Sequence, residues 1–165
     1  MLGYVMAQGR GESDRLIEAV AMQLRADGVR VAGAVQVNLD REPVNKCHMD
    51  LHILSGADVV RISQDLGALS RGCRLDPEGL ERAVGLVGAG LDAGADILIL
   101  NKFGKQEAEG RGFRPLIGQA ISAGIPVLIA VSHGLLPAFQ DFAQELAQPL
   151  SEQPETVLKW ARAQI

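Results

Sequence analysis

Apolar residues recur along this chain in two alternating rhythms, short unbroken runs and stripes spaced three and four apart. Residues 2–6 form the first run and break into a polar, glycine-rich turn. Leu16, Ile17, Val20, Ala21 and Leu24 then share one helical face, closed by Asp27-Gly28. Residues 29–37 are largely β-branched and apolar, the signature of a buried strand. Pro43 and its charged neighbours make residues 41–46 a loop. Met49, Leu51 and Ile53 alternate with Asp50, His52 and Leu54. After the turn at residues 55–58 comes a second short run, 59–62, so the two predict a β-hairpin. A loop rich in Gly and Arg covers residues 67–74.

The second half repeats the alternation. Asp76-Pro77-Glu78 opens a helix with a capping acid, a proline at the first helical position and an acid at the positive end of the dipole. Its inward face is Leu80, Ala83, Val84, Val87 and Leu91, and Gly94 ends it. Residues 97–100 are continuously apolar, as a central parallel strand requires. Phe113, Leu116, Ile117, Ala120 and Ile121 mark a helix stopped by Gly124, and residues 126–131 make the next buried strand. Leu136, Phe139, Phe142, Ala143 and Leu146 predict a further helix. From Pro154 onward Val157, Leu158, Ala161 and Ile165 fall on one face of the last. No repeat, low-complexity tract or linker interrupts the series. The pattern predicts a single α/β domain over residues 1–165, a mainly parallel sheet with helices on both faces and a β-hairpin insertion.

Composition narrows the function classes. The chain has 165 residues, 47% hydrophobic and 22% charged, enough for a real core and too apolar for wholesale disorder. A net charge of −4 and aromatics at 4% argue against a nucleic-acid surface and against base-stacking platforms. No apolar run approaches the roughly 20 residues that span a bilayer, and the N-terminus reads as a first strand, not a signal peptide. Two cysteines make no disulfide framework. A cytoplasmic location follows as the expectation, with no membrane insertion and no nucleic-acid partner.

The chemistry concentrates in two stretches. Gln8-Gly9-Arg10-Gly11-Glu12-Ser13 lies between a strand and a helix, where backbone N–H groups and the helix dipole converge on an anion. A full phosphate loop reads G-x-x-x-x-G-K-[ST]. Here Met6 fills the first glycine position, Gly11 the second, Glu12 the lysine position and Ser13 the hydroxyl position. Two of four key positions match, and a tight strand-to-helix turn with Ser13 or Asp14 as N-cap accounts for them equally well. A carboxylate at position 12 favours the helix dipole but repels phosphate. Either it takes the phosphate's place, or it turns outward and a cation among Arg10, Arg15, Lys102 and Lys105 serves the ligand. The second stretch, residues 97–102, ends a predicted strand in Asn101-Lys102. Beyond it Lys102, Lys105, Arg111 and Arg114 sit among Gly104, Gly110 and Gly112, at the strand end where open α/β sheets bind ligands. This reads as a basic loop able to close over an anion, partly neutralised by Glu107 and Glu109. Arg71 and Arg74 are further cations, and His133, just after a strand end, is a candidate contact. Cys47-His48 with His52 and Cys73 lacks a metal-ligand spacing and reads as ordinary thiols and surface histidines. A redox-sensitive or oxyanion-contacting thiol pair is the alternative.

The order of parts resembles the small single-domain P-loop nucleoside-triphosphatase family of thermophiles and animals. Residues 8–14 match its phosphate loop, residues 29–62 its second strand and hairpin, and Asn101-Lys102-Phe103-Gly104 its Asp-Glu-Ile-Gly type motif. Phe113 and Val131-Ser132-His133 match its later helix and strand end. Residues 47–51, 71–76 and 101–105 are more closely similar to an uncharacterised bacterial family of predicted NTP-binding proteins, sometimes linked to molybdenum transport. The resemblance implies a three-layer P-loop fold and a nucleotide or anion site at Gly9, Arg10, Gly11, Glu12, Ser13, Asp14, Asn101, Lys102, Lys105, Arg111, Arg114 and His133. It also implies that the lysine and both acids of the active family are replaced here, two of them with reversed sign. An ion pair between Glu12 and Lys102 across the strand ends is therefore expected. Three functions are compatible with these residues: an oxyanion, phosphate or nucleotide binder without conventional hydrolysis, a nucleoside triphosphatase using rearranged cations, and an interaction module that binds no ligand. A homodimer or a partner protein fits the sequence, and no metal site is expected.

Overall fold

A computed structural model describes residues 1–6, 9, 11–41, 46–64 and 74–165, the side chains of 38–41, 46, 47 and 74 excepted. The expectations for Arg10, Arg71, Cys73 and the side chains of Arg74 and Cys47 lie outside the described residues.

The apolar runs become strands because each is long enough to cross a sheet buried on both faces. They are β1 (Leu2–Val5), β2 (Val31–Arg41), β3 (Lys46–Ile53), β4 (Val59–Arg61), β5 (Ser63–Gln64), β6 (Arg74–Leu75), β7 (Ile97–Phe103), β8 (Val127–Val131) and β9 (Ala147–Pro149). The apolar stripes become α1 (Glu12–Ala26), α2 (Pro77–Asp92), α4 (Arg114–Ser122), α5 (Leu136–Ala143) and α6 (Pro154–Gln164), with a short α3 (Lys105–Ala108). A seven-stranded sheet runs β4-β3-β2-β7-β8-β1-β9, and β5 and β6 make a separate small ladder. The neighbours β2-β7, β7-β8, β8-β1 and β1-β9 are parallel, while β2-β3 and β3-β4 are antiparallel. The four predicted strands therefore share one parallel sheet, and the predicted hairpin is β3-β4.

Alternation along the strands divides the core. Leu98, Leu100 and Phe103 face a layer containing Leu80, Val87, Ile117 and Phe139, from α2, α4 and α5. Ile97 and Ile99 face Ile17, Val20, Val157 and Trp160, from α1 and α6. Helices thus cover both faces, the three-layer arrangement expected of crossover connections. Gly33 of β2 lies opposite Ile99 of β7 at φ 130°, and a Cβ there would sit 1.7 Å from the Ile99 carbonyl oxygen. Only glycine lets these two strands meet.

Several boundaries differ from the sequence pattern: β2 runs on to Arg41 and β3 begins at Lys46, at the two ends of the expected loop, and β6 takes Arg74 from the end of the second loop. α5 stops at Ala143, where Gln144 adopts φ 48°, and the chain passes through a 3-10 turn at Gln144–Leu146 into β9 against β1. Leu146, expected on an inward helical face, is consequently 58% exposed. β7 continues three residues beyond the apolar run, with a register irregularity between Leu100 and Phe103. The basic loop after Lys102 contains α3.

Candidate functional site

Glycine and the helix start shape the turn after β1. Gly11 is the N-cap of α1 at φ 75°, a left-handed conformation that glycine adopts without strain. Neither Ser13 nor Asp14 caps the helix, since α1 has no side-chain cap bond. Instead the Glu12 carboxylate folds back, and its Oε2 accepts the Gly9 N–H at 2.9 Å. The Gly9 carbonyl accepts the Glu12 N–H at 3.2 Å, closing a tight turn. A Cβ at residue 9 would lie 2.3 Å from the Glu12 carboxyl carbon, so the carboxylate is seated against the glycine backbone. Of the two orientations the sequence left open for Glu12, the structure has the one in which the acid occupies the turn itself.

Across the strand ends, β8 separates β1 from β7. Asn101 is buried and reaches α1, Lys102 follows Leu98 and Leu100 onto the other face and is exposed, and the register irregularity brings Phe103 into that same core layer. Asn101, 5% exposed, extends the β2-β7 ladder with its side chain: Oδ1 accepts the Gln36 N–H at 3.1 Å. Its Nδ2 donates to Asp14 Oδ1 at 2.9 Å, tying the strand end to the first turn of α1. Asparagine suits this place because it accepts on one side and donates on the other. An aspartate would set two carboxylates against each other.

The expected Glu12–Lys102 ion pair is not formed among the described residues. Glu12 belongs to the helix on one face of the sheet, whereas Lys102 lines a cavity with Leu51, Leu80 and Phe113, from the core layer of the other face. Nor is the basic segment a loose loop. Glu107, 5% exposed, accepts the Gly104 N–H at 2.9 Å and the Phe113 N–H at 3.0 Å, stapling the segment's two ends together. Sequence reasoning took Glu107 for a solvated neutraliser. The signal was its place three residues after Gly104, the spacing of a side chain that reaches back to a helix start. Arg114 is taken up structurally: Nη1 donates to the carbonyls of Glu107 and Ala108 at 3.2 and 3.4 Å, and its guanidinium lies 4.7 Å from the centre of the Phe142 ring. Arg111 pairs with Glu109 and donates to Gln106. Lys102, Lys105 and His133 are exposed, His133 on the 3-10 turn after β8.

The site therefore combines a glycine turn holding a carboxylate, a helix start carrying Ser13 and Asp14, a buried asparagine and a histidine on the intervening strand's exit. Among the described residues no group of His, Cys, Asp and Glu is placed to hold a metal ion. No helix among them is long and apolar enough to cross a membrane.

Residues 2–160 match the family described as "Protein of unknown function (DUF2478)". The chain belongs to that family. Over 159 residues, 96% of the chain, it is 31% identical to the molybdenum import ATP-binding protein ModC 2 of Bradyrhizobium diazoefficiens, of which it spans 18%. In fold it is similar to the solution structure of a human cancer-related nucleoside triphosphatase, with a TM-score of 0.63 at 16% identity, covering 98% of this chain and 94% of that one. The family member described here thus has the P-loop nucleoside-triphosphatase fold, as its motif order implied.

Proposed function

We propose that this protein binds a phosphate-bearing ligand, a nucleotide, or a similar oxyanion at the turn of Gly9, Gly11, Glu12, Ser13 and Asp14, without conventional magnesium-dependent hydrolysis. One observation carries the reading: the turn already holds an anion, the Glu12 carboxylate on the Gly9 N–H. A helix start that binds its own carboxylate has the donors and the dipole to bind a phosphate oxygen instead. Because Glu12 is exposed, an incoming anion displaces it without opening the core. The names of the curated relative, an ATP-binding protein, and of the structural neighbour, a nucleoside triphosphatase, support nucleotide as the ligand class. His133 stands just beyond the end of β8, the strand between the two halves of the site, and is the proposed additional contact.

Hydrolysis is not part of the proposal because the electrostatics oppose it. Phosphoryl transfer on this fold depends on a cation at the outer phosphates and on magnesium held by acids. Here Glu12 fills the lysine position, Asn101 is consumed by Gln36 and Asp14, and Lys102 opens on the other face of the sheet.

Calorimetric titrations of the parent and Glu12→Ala with ATP, GTP, inorganic phosphate and molybdate test the reading, alongside phosphate release with magnesium. Glu12→Ala is expected to bind at least one of these anions roughly tenfold more tightly than the parent, since an internal competitor and a like charge are removed. No phosphate release is expected from either. Binding weakened by Glu12→Ala, no binding by either protein, or magnesium-dependent turnover by the parent would each overturn it.

A further inference from the structure

A second cavity opens at the same edge of the sheet but on its opposite face. It has a volume of about 370 Å³, with Met49, Leu51, Leu80 and Phe113 among its walls and Lys102 and Lys105 at its rim. That volume lies in the range of small-ligand sites, and an apolar body with a few placed polar groups is their usual composition.

The charges give the cavity a direction. Neither the Lys102 nor the Lys105 ammonium group has an ion pair or hydrogen bond among the described residues, and both side chains are exposed. The one carboxylate in the described lining, Glu107, is spent on the N–H groups of Gly104 and Phe113. A ligand entering here thus meets apolar walls, the amide side chains of Gln36, Asn101 and Gln106, and two ammonium groups against the single, already hydrogen-bonded Glu107 carboxylate. The Glu107 staple and the Arg114 contacts also hold the Lys105 segment in place, so the rim is pre-formed.

We infer that this cavity is a binding site for a small amphipathic anion, an apolar body seated among Met49, Leu51, Leu80 and Phe113 with a carboxylate or phosphate paired to Lys102 and Lys105. Its apolar walls lie on the face of the sheet opposite α1 and Glu12, while Asn101, which lines the cavity and donates to Asp14, borders both sites. Its occupant would be a molecule other than the anion of the turn, so the fold carries two ligand positions along one edge.

The test uses three probes with one ring system: 2-naphthoate, 2-naphthyl phosphate and the neutral 2-naphthalenemethanol. Binding to the full chain is followed by calorimetry and by amide chemical shifts. Saturable binding of at least one anionic probe is expected, with shifts at Leu51, Leu80 and Phe113, and with the alcohol binding roughly tenfold more weakly. Comparison of the carboxylate with the phosphate identifies the preferred head group. Lys102→Ala with Lys105→Ala, at two exposed positions, is expected to reduce anion affinity about tenfold and leave the alcohol unchanged. Leu75→Trp, which fills the cavity from its β6 side, is expected to abolish binding of all three. Equal binding of alcohol and anions, an unchanged anion affinity in the double lysine variant, or no saturable binding by the folded parent overturns the proposal. Failure of phosphate or nucleotide to bind the glycine turn would leave these titrations standing, so the two readings fail separately.

Discussion

Position 101 shows how one side chain reorganises a site. An aspartate there would accept the Gln36 N–H as well as asparagine does, but it would face Asp14 with no donor between the carboxylates. Asn101 and Asp14 are therefore a matched pair, and neither substitution is understandable alone. Asn101→Asp is expected to lower stability by about 1–3 kcal/mol, from a lost charge-assisted hydrogen bond and a new like-charge contact. Adding Asp14→Asn should restore most of it. Urea denaturation of the two single variants and the double variant gives the coupling directly. Additive effects would refute the pairing. The same contact bears on any attempt to install hydrolysis: converting residues 12, 101 and 102 to Lys, Asp and Glu leaves Asp14 opposing the new acid.

At the scale of elements, the exit of α5 decides what the C-terminal part of the chain does. Ala143 ends the helix, and Gln144 takes φ 48° and ψ −131°, a combination that glycine adopts freely and other residues adopt under strain. The strain turns the chain into β9, which pairs Leu2 with Ala147 and Tyr4 with Pro149 and so closes the sheet's edge beside β1. Gln144→Gly should relieve it, raising unfolding free energy by about 1 kcal/mol by chemical denaturation with circular dichroism unchanged. A loss of stability would mean that the Gln144 side chain contributes more than its backbone costs. The segment from Lys102 to Arg114 shows the converse. A stretch with three glycines and four cations looks mobile, yet the Glu107 carboxylate ties it to itself and the ring of Phe142 holds it against α5.

At the scale of the molecule, three acids among the described residues carry depressed pKa values in the folded state. The Arg61 guanidinium, hydrogen-bonded to Asp50 at 2.7 Å, holds that carboxyl below its ordinary value, with smaller help from His48 and His52. Arg30 does the same to Asp96, and Arg162 to Asp27. Each acid releases its proton more readily when folded than when unfolded. Its contribution is therefore full above the unfolded carboxylate value, near ~3.9, and is lost as pH falls through the lower folded value. Stability should fall across the acid range, and Asp50→Asn should flatten that fall while leaving less stability at neutral pH. Thermal unfolding of both proteins from about pH 2.5 to 7 measures this, and an acid limb identical in the variant would exclude Asp50.

The sequence by itself determined the layers. Runs of β-branched and apolar residues at 29–37, 97–100 and 126–131 must be buried on both faces, and stripes such as Leu16-Ile17-Val20 must cover them, so a parallel sheet between helices follows from burial alone. It also placed the glycine turn, because Gly9 and Gly11 stand between a strand and a helix and no other arrangement uses them. What only the tertiary structure decided is where the polar groups point. Glu12 was legible as an acid at a helix start, but its orientation rests on whether the Gly9 N–H or a distant lysine is nearer. Lys102 was legible as a reversed charge, and alternation with Leu98 and Leu100 puts it on the far face of the sheet, but that Glu12 lies in the opposite layer is set by which face α1 covers. Asn101 and Arg114 find their partners, and Glu107 its second partner Phe113, through contacts that no periodicity encodes. Apolar patterning is a property of each segment and its solvent, whereas a hydrogen bond needs two groups brought together to about 3 Å, and only the assembled fold sets that distance.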